Sequence, residues 1–342
     1  MSRPMLRSSF TALMFLALAA SARGGTLYVA NNGVDGPACG PKKSPCRSIS
    51  QAVNTNAVDG DAIVVGPGTY GDLNRDGTLG NVPGEETGDF GCVLVIGHAV
   101  TITSSAGAAE TVIDGRSVSI NCNVGILVDG TQFGKPGKGF TVSNTAVSAG
   151  GSGIVVTATN VAIRGNQIVG AGAANQLTGI RNLEASGTVL IEANQVIGWA
   201  NGIEMDSAGK TLRRNQVLLN GTGIWAFGSN TIVGNVTTAN FQGVLSNGSD
   251  TIVSNAAYGN VEGITLSDTV TGGSVEKNNI VGNQCGVLNA GVLGVDAIKN
   301  YWGAATGPGT RPADDICNEQ GGTATVTPFA TKPFEVKAPI KP

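Results

Sequence analysis

The sequence is poor in the residues that usually carry metal or nucleophilic chemistry. It contains a single histidine, His98, and no CxxC pair among its six cysteines. A zinc site of the Cys/His type is therefore disfavoured, since the required ligands are missing. Charged residues make up only 13% of the 342 residues. A disordered chain would be more charged and less apolar, so the composition indicates a folded protein.

Long apolar runs are also scarce. The run from Phe10 to Ala20 follows Arg3 and Arg7 and precedes a small-x-small site that ends at Ala22. This pattern is typical of a secretory signal peptide, so we expect residues 1–22 to be removed and the protein to be secreted or periplasmic. The run is too short to span a bilayer, and we expect no transmembrane segment.

An excess of positive charge is missing as well. Residues 1–22 contain two arginines and no acids, so their removal changes the net charge from −3 to −5. A protein of this charge is not expected to bind nucleic acid as its main partner.

The cysteines are even in number and belong to a chain that we expect to be exported. Such cysteines usually form disulfides. Proximity in the sequence favours the pairs Cys39–Cys46, Cys92–Cys122 and Cys285–Cys317. The sequence alone leaves the other pairings of six cysteines open.

Glycine, in contrast, is abundant, with 52 residues, and much of it belongs to a repeat. A Gly-Ile or Gly-Val pair recurs at Gly125, Gly153, Gly179, Gly202, Gly223, Gly243, Gly263 and Gly286. An asparagine follows each pair after a short apolar run, at Asn144, Asn166, Asn194, Asn215, Asn235, Asn255, Asn278 and Asn300. Successive asparagines are 20 to 28 residues apart. Self-similarity with this period predicts a solenoid.

The runs within the repeat are short and rich in Val, Ile and Thr, which favours strands over helices. Each repeat is therefore predicted to form one coil of a right-handed parallel β-helix, with roughly ten coils over residues 23–309. We expect the recurring Gly and Asn to adopt left-handed conformations at the turns. We also expect the stacked asparagines to form a hydrogen-bonded ladder. The N-x-[ST] sequons at Asn220, Asn235 and Asn247 are interpreted as a by-product of this Asn-rich repeat.

Both ends of a solenoid need covers. Ser48 to Ala57 has helical apolar spacing after a serine, which predicts a short capping helix before a first strand in Gly60–Asp72. At the other end, Tyr301 and Trp302 follow the last asparagine and are predicted to plug the final coil. Residues 310–342 are predicted to be a capping tail, with Asp314 and Asp315 in solvent.

The order "LYVANNG", "PCRSISQAV" and "GDAIVVGPGTY" resembles the N-terminus of parallel β-helix proteins of the pectate lyase-like superfamily. "NYWGAATGPG" resembles the segment that closes the helix in such proteins. The resemblance covers roughly residues 26–309 and implies the fold. It implies little about activity, because the superfamily includes lyases, hydrolases, epimerases and proteins without assigned chemistry. Three tripeptide or tetrapeptide motifs of its enzymes, GHG, RIK and DPHD, do not occur here.

Register within the repeat selects one candidate site. If Ile203, Met205, Ile224 and Ala226 point inward, then the alternating residues point outward. These outward residues are Glu204, Asp206, Trp225 and Phe227, with Arg181 on the preceding coil. We interpret Trp225 and Phe227 as candidate saccharide-binding residues, and Glu204, Asp206 and Arg181 as the catalytic set if the protein is an enzyme. An ordinary solvated surface is the alternative.

A second motif lies in "GDLNRDGTLGN". Asp72, Asn74 and Asp76 match the first half of a calcium loop, but Pro83 stands where the bidentate glutamate belongs. Glu85 or Glu86 could replace it only if the loop bends. The sequence therefore allows calcium as a cofactor and favours a bare acidic turn. His98 is expected in a strand, in a structural role.

Two functions remain after this reading. The first is an exported β-helix protein that recognises extracellular or cell-surface polysaccharide without catalysis. The second is a polysaccharide lyase or glycoside hydrolase that acts on uronate-type polymers. The absent enzyme motifs and the sparse charge favour the first.

Overall fold

A computed structural model of the protein describes residues 24–116, 121–144, 151–172, 177–184, 186–268, 270, 272–309 and 311–336. The predicted signal peptide, residues 1–22, lies outside the described residues.

The described chain winds through three long parallel sheets. Sheet 1 consists of β1 (Thr26–Val29), β2 (Ala62–Val65), β5 (Thr101–Ser104), β8 (Gln132–Phe133), β11 (Val161–Arg164), β14 (Val189–Glu192), β17 (Thr211–Arg213), β20 (Thr231–Val233), β23 (Thr251–Val253) and β26 (Ser274–Glu276). Sheet 2 consists of β3 (Gly68–Gly71), β6 (Thr111–Asp114), β9 (Thr141–Asn144), β12 (Gln167–Gly170), β15 (Gln195–Ile197), β18 (Gln216–Leu218), β21 (Val236–Thr238), β24 (Ala256–Tyr258) and β27 (Asn279–Val281). Sheet 3 consists of β4 (Cys92–Ile96), β7 (Cys122–Ile126), β10 (Ser152–Val156), β13 (Thr178–Asn182), β16 (Asn201–Met205), β19 (Thr222–Gly228), β22 (Gln242–Gly248), β25 (Glu262–Leu266), β28 (Cys285–Asn289) and β30 (Ile316–Asn318). A separate pair is formed by β29 (Gly294–Asp296) and β31 (Thr323–Thr325).

Each coil visits sheets 1, 2 and 3 in turn, and each strand pairs with the strand one coil away. Inward residues alternate with outward ones, so that the inner positions of all three sheets form one apolar core. The predicted all-β, right-handed parallel β-helix is therefore confirmed. Sheet 1 begins earlier than predicted, because Thr26–Val29 already pairs with Ala62–Val65.

An asparagine ladder runs along the corner between sheets 1 and 2. Each rung donates its backbone N–H and its side-chain amide to the side-chain carbonyl of the next rung, at 2.8–3.2 Å. The rungs are Asn166, Asn194, Asn215, Asn235, Asn255, Asn278 and Asn300. The predicted ladder is thus present from Asn166 onward. Asn144 as its first rung is wrong, because Asn144 ends β9 in register with Gly170, and the N–H of Phe140 occupies the corner and donates to Asn166 Oδ1 at 2.9 Å.

A second ladder, which the sequence reading missed, runs along the corner between sheets 2 and 3. It connects Asn220, Asn240, Asn260 and Asn283 and ends on the carboxylate of Asp314. Asp314 is buried, so its predicted place in solvent is wrong. The sequons at Asn220 and Asn235 are likewise buried ladder rungs.

The left-handed residue at these corners is not the asparagine. It is the residue immediately before, as at Ala193, Arg214 and Ser254 in the first ladder and Leu219 and Ala239 in the second. The predicted left-handed conformation of the asparagines is therefore wrong. The asparagine follows the sharp turn and satisfies the backbone N–H groups that the turn leaves without strand partners.

Glycine also recurs in sheet 3 for a reason other than the predicted one. Gly202, Gly223 and Gly243 do not have positive φ. A Cβ at Gly223 would lie 2.5 Å from the carbonyl oxygen of Gly243, and one at Gly243 would lie 2.4 Å from that of Gly263. These glycines form a column, the glycine column, in which backbones of successive coils approach too closely for any side chain.

The predicted capping helix is present. Its π-helical part is Gln51–Asn56, and the Ser48 hydroxyl accepts a hydrogen bond from the Gln51 N–H at 3.1 Å. The buried carboxylate of Glu86 accepts from the N–H groups of Ile49 and Ser50 at 2.8 and 2.7 Å. A short 3-10 turn, Asp89–Gly91, precedes β4. No helix among the described residues is both long enough and apolar enough to cross a lipid bilayer.

The C-terminal end of the solenoid is closed by the residues predicted to plug it. Trp302 is fully buried in the core, and Asn300, two residues before it, is the last rung of the first ladder. Within the predicted tail, Ile316–Asn318 joins sheet 3, and Phe329 packs against the core. The structure forms all three disulfides that proximity favours, Cys39–Cys46, Cys92–Cys122 and Cys285–Cys317.

Candidate functional site

The register that selected the candidate site is the one in the structure. Ile203, Met205, Ile224 and Ala226 are fully buried in the core. Asn182 on the neighbouring strand also points into the buried interior, and Leu183 beyond it is exposed. The intervening residues of β13, β16 and β19 therefore lie on the outer face of sheet 3.

Pairing between the coils brings the predicted residues together. Arg181 lies opposite Glu204, and Glu204 lies opposite Trp225. The Nε of Arg181 is 3.3 Å from Glu204 Oε1, and its Nη2 is 3.2 Å from Asp206 Oδ2. One guanidinium thus contacts both carboxylates of the predicted catalytic set.

The carboxylate of Glu204 is fully engaged by its neighbours. Its Oε2 accepts hydrogen bonds from Thr178 Oγ1 at 2.7 Å and from Asn201 Nδ2 at 2.9 Å, while Oε1 faces Arg181. The residue is only 6% exposed. A carboxylate in this position connects neighbouring strands, and little of it is accessible to a ligand.

Asp206 is the more accessible carboxylate, with 27% of its side chain exposed. Partial burial raises the pKa of Asp206, and the negative charge of Glu204 raises it further, while Arg181 opposes the shift.

Trp225 and Phe227 form an aromatic pair beside these charges. Their ring centroids are 5.0 Å apart with an interplanar angle of 39°. Both side chains are half-buried, whereas the other two tryptophans, Trp199 and Trp302, are fully buried. The Nε1 of Trp225 is buried without a hydrogen-bond partner among the described residues. We call Arg181, Glu204, Asp206, Trp225 and Phe227 the sheet 3 patch.

An apolar cleft of about 300 Å³ continues the sheet 3 patch toward the N-terminal coils. Arg181 forms its border with the patch, and the Cys92–Cys122 disulfide lies in its wall. Phe90, Leu177 and Leu183 line it and are exposed. The outer face of sheet 3 thus combines aromatic, aliphatic and charged groups along the solenoid axis.

The predicted calcium loop is closed by its own hydrogen bonds. The Asp72 carboxylate accepts from the N–H groups of Arg75 and Gly77 at 2.7 and 2.8 Å, and Asp76 accepts from Thr78 N–H at 2.8 Å. Asn74 Oδ1 accepts from Asp76 N–H at 2.9 Å. The loop has the form of a self-contained acidic turn, and calcium binding by it stays a prediction.

The two glutamates considered as replacements for the missing calcium ligand have other partners. Glu85 accepts from the N–H groups of Leu73 and Asn81 at 3.0 and 3.1 Å. Glu86 caps the N-terminal helix. Both carboxylates are buried.

His98 lies in the turn between β4 and β5 and not in a strand as predicted. Its Nδ1 is 3.3 Å from Asp59 Oδ1. A backbone hydrogen bond from Ala99 and the contact with His98 lower the pKa of Asp59. These contacts are consistent with the predicted structural role of the histidine.

One charged cluster was missed by the sequence reading. Glu192 is fully buried on the outer side of sheet 1, and Arg164, Arg213 and Arg214 surround it. Arg164, Glu192 and Arg213 lie opposite one another on successive strands. Their spacing along the chain, 28 and 21 residues, equals one coil each and was the available signal.

Comparison with solved structures gives two β-helix enzymes of low sequence identity. A pectate lyase, Pel9A, is 16% identical, with a TM-score of 0.43, and the match covers 91% of this chain and 79% of that one. A pectin methylesterase from carrot is 13% identical, with a TM-score of 0.42, and the match covers 94% of this chain and 88% of that one. No curated protein sequence matches this chain significantly.

The model of a family described as periplasmic copper-binding protein (NosD) matches residues 54–244 and, overlapping with them, 109–307. The chain belongs to this NosD family.

Proposed function

We propose that the protein is exported and recognises an extracellular or cell-surface polysaccharide, without catalysis, through the sheet 3 patch. The observation that carries the proposal is the half-buried pair Trp225 and Phe227 beside Arg181, whose guanidinium is already paired with Glu204 and Asp206. Aromatic rings stack on the apolar faces of sugars, and polar groups at their border bind the hydroxyls.

Export is supported by three independent features. Residues 1–22 have the pattern of a signal peptide, the described part of the chain contains three disulfides, and the family is described as periplasmic. Disulfides persist in oxidising compartments such as the periplasm and the extracellular space.

The family description also suggests copper binding, but the residues of this chain do not fit a copper site. Copper sites use imidazole, thiolate or thioether ligands. The sequence has one histidine, all six cysteines form disulfides, and Met205 is buried in the core. Among the described residues, the one cluster of metal-type side chains is Asp35, Cys39 and Cys46, whose cysteines are bonded to each other.

The absence of catalysis is supported by the state of Glu204. Its oxygens accept from Thr178 and Asn201 and face Arg181, so the second carboxylate of an acid–base pair is not accessible. Two carboxyl groups with separate roles are needed for most glycoside hydrolysis.

A lyase or glycoside hydrolase that acts on uronate-type polymers is the second candidate. The observation in its favour is Asp206, whose pKa is raised and which contacts Arg181. In this case Glu204, Asp206 and Arg181 would be the catalytic residues. New reducing ends or unsaturated ends on incubation with such polymers, lost in Asp206→Asn, would replace the binding proposal with this one.

The binding proposal is tested with oligosaccharides and the variant Trp225→Ala/Phe227→Ala. Phe241→Ala is the matched control, because Phe241 is an exposed aromatic residue outside the patch. We expect about a tenfold or larger loss of affinity in the double variant and no change in the control. Since Trp225 is the one tryptophan that is not fully buried, a bound sugar should also protect the wild type from acrylamide quenching. Equal affinity of the double variant and the wild type would contradict the proposal.

A further inference from the structure

Positive charge is concentrated at the corner between sheets 1 and 2. Arg164, Arg213 and Arg214 lie there on sheet 1 or directly after it, and Lys135 and Lys138 lie on the preceding coil. A Cβ at Gly165 would lie 2.5 Å from the carbonyl oxygen of Lys135, so the lysine segment rests directly on the coil of Arg164. We call these five residues the basic corner.

The basic corner has more cations than its internal partner can neutralise. Glu192 is the carboxylate that Arg164 and Arg213 contact through Nε, each at 3.0 Å, and Arg214 contacts it through Nη2. Since Glu192 is fully buried, its negative charge is neutralised within the cluster and does not face a ligand. Three guanidinium groups therefore contact one buried anion, Lys135 and Lys138 on the preceding coil add two further cations, and an excess of positive charge faces outward.

These cations are accessible to a ligand. The side chains of Arg164, Arg213 and Arg214 are 32%, 41% and 47% exposed although they contact Glu192. Lys135 and Lys138 are exposed as well. Guanidinium groups offer planar pairs of donors that match carboxylates.

The charge is local and contrasts with the rest of the protein. The whole chain has a net charge of −3, so general basicity does not account for the cluster. Next to it, a groove of about 350 Å³ is lined by four polar residues, Asn160, Thr188, Thr211 and Arg213, and by four apolar ones, Val161, Ala162, Val189 and Leu190. Thr211, Thr231 and Thr251 then follow in register on successive coils of sheet 1. Hydroxyl and amide groups beside a row of cations suit a ligand that carries both hydroxyls and negative charge.

We propose that the basic corner is a second binding site, for a linear polysaccharide with carboxylate groups. Coils are stacked about 4.8 Å apart. The lysines, Arg164 and Arg213 lie on the first, second and fourth of four successive coils, with Glu192 on the third, so the cations extend along the solenoid axis and suit an extended polyanion. Leu190 is the largest apolar side chain of the groove and is only partly exposed, so little apolar surface is available for insertion into a bilayer, which favours a polysaccharide over an anionic membrane. The site lies at a different edge of the coil from the sheet 3 patch and does not depend on it.

The test measures binding of polygalacturonate, with neutral dextran for comparison, by calorimetry at low and at high salt. The variant Lys135→Gln/Lys138→Gln/Arg214→Gln removes three charges and leaves Arg164 and Arg213 on Glu192. The control Lys42→Gln/Lys43→Gln/Lys332→Gln removes three exposed charges elsewhere. We expect polygalacturonate binding that weakens with salt, falls about tenfold in the corner variant and is retained in the control.

Several outcomes would overturn the inference. These are no binding of polygalacturonate to the wild type, an equal loss in the control, or binding of dextran with the same affinity. Corner-dependent binding to phosphatidylglycerol vesicles without binding to polygalacturonate would assign the corner to a membrane instead. The variant Trp225→Ala/Phe227→Ala should retain polygalacturonate binding at the corner, so failure of the sheet 3 proposal and failure of this one remain distinguishable.

Discussion

The coils between residues 166 and 300 repeat one corner chemistry, whereas the coils before residue 144 each use their own. In the later coils, Asn215 meets Asn235 and Asn235 meets Asn255 at the same corner. In the earlier coils, the 72–91 segment interrupts the spacing. Its contacts occur once each, such as Glu86 on the capping helix and the Cys92–Cys122 disulfide.

The difference shows what a constant corner makes possible. The coils from Asn166 to Asn300 are 20 to 28 residues long, yet each has an asparagine at the same corner, so one residue type serves every turn. The strands of the earlier coils are also in register, but their corner has no repeated asparagine, and the buried backbone groups have individual partners.

The largest effect is expected where the regular coils approach most closely. Gly243→Ala would place a Cβ 2.4 Å from the backbone oxygen of Gly263, and neither backbone can move without disturbing the sheets. We expect the free energy of unfolding to fall by about 3 kcal/mol. Gly36→Ala in the irregular region has no atom within 4 Å of the new Cβ and serves as control. Urea unfolding of both variants measures the difference, and equal stabilities would refute the close-contact role of the glycine column.

A smaller effect is expected from a single ladder rung. Asn235→Ala removes the carbonyl that accepts from Asn215 N–H and Asn215 Nδ2, and leaves both donors buried. We expect a loss of about 2 kcal/mol in the free energy of unfolding. Asn31→Ala, at an exposed asparagine before the repeat, should cost about 0.5 kcal/mol or less. Denaturant titration measures the free energy of unfolding of both variants. If Asn235→Ala lost no more stability than Asn31→Ala, the ladder would add little stability.

The smallest effect concerns a carboxylate of the regular coils. The raised pKa of Asp206 means that the folded state holds this proton more tightly than the unfolded state. The stability that Asp206 contributes should therefore fall as the pH rises from its ordinary pKa of 3.8 through the raised value. Compared with Asp206→Asn, the wild type should lose less than about 1 kcal/mol over this range, because the side chain is partly exposed. Unfolding curves at a series of pH values measure the free energy of unfolding of the wild type relative to Asp206→Asn. If the Arg181 ion pair outweighed burial, this difference would rise with pH instead of falling.

Much of the fold could be predicted because the repeat is visible in the sequence. The Asn and Gly-Ile spacing predicted the coils, the first ladder and the register that brings Arg181, Glu204 and Trp225 together. The second ladder was missed although Asn220, Asn240 and Asn260 are 20 residues apart. Asn220 was interpreted as a sequon and the other two were overlooked, although each of the three precedes the Gly-Ile or Gly-Val pair of its coil by three residues.

Other features could not be predicted because they depend on contacts across the coils. The last rung of the second ladder is Asp314, which reaches Asn283 only after the tail folds back. Glu85 and Glu86 were considered as metal ligands, since the sequence does not reveal that backbone N–H groups satisfy them. The glycine column was attributed to turns, because the close approach of two backbones is a property of the stacked coils.

The sequence by itself determined the coil, since a period of 20 to 28 residues with short β-rich runs is stable only when neighbouring repeats stack. It also determined which residues of each coil face the core, because side chains alternate along a strand. The tertiary structure decided what the outward residues do. Whether a carboxylate is accessible, like Asp206, or fully engaged, like Glu204, depends on the partners that adjacent coils bring to it. Those partners are 20 or more residues away in the chain, and only stacking of the coils makes them neighbours.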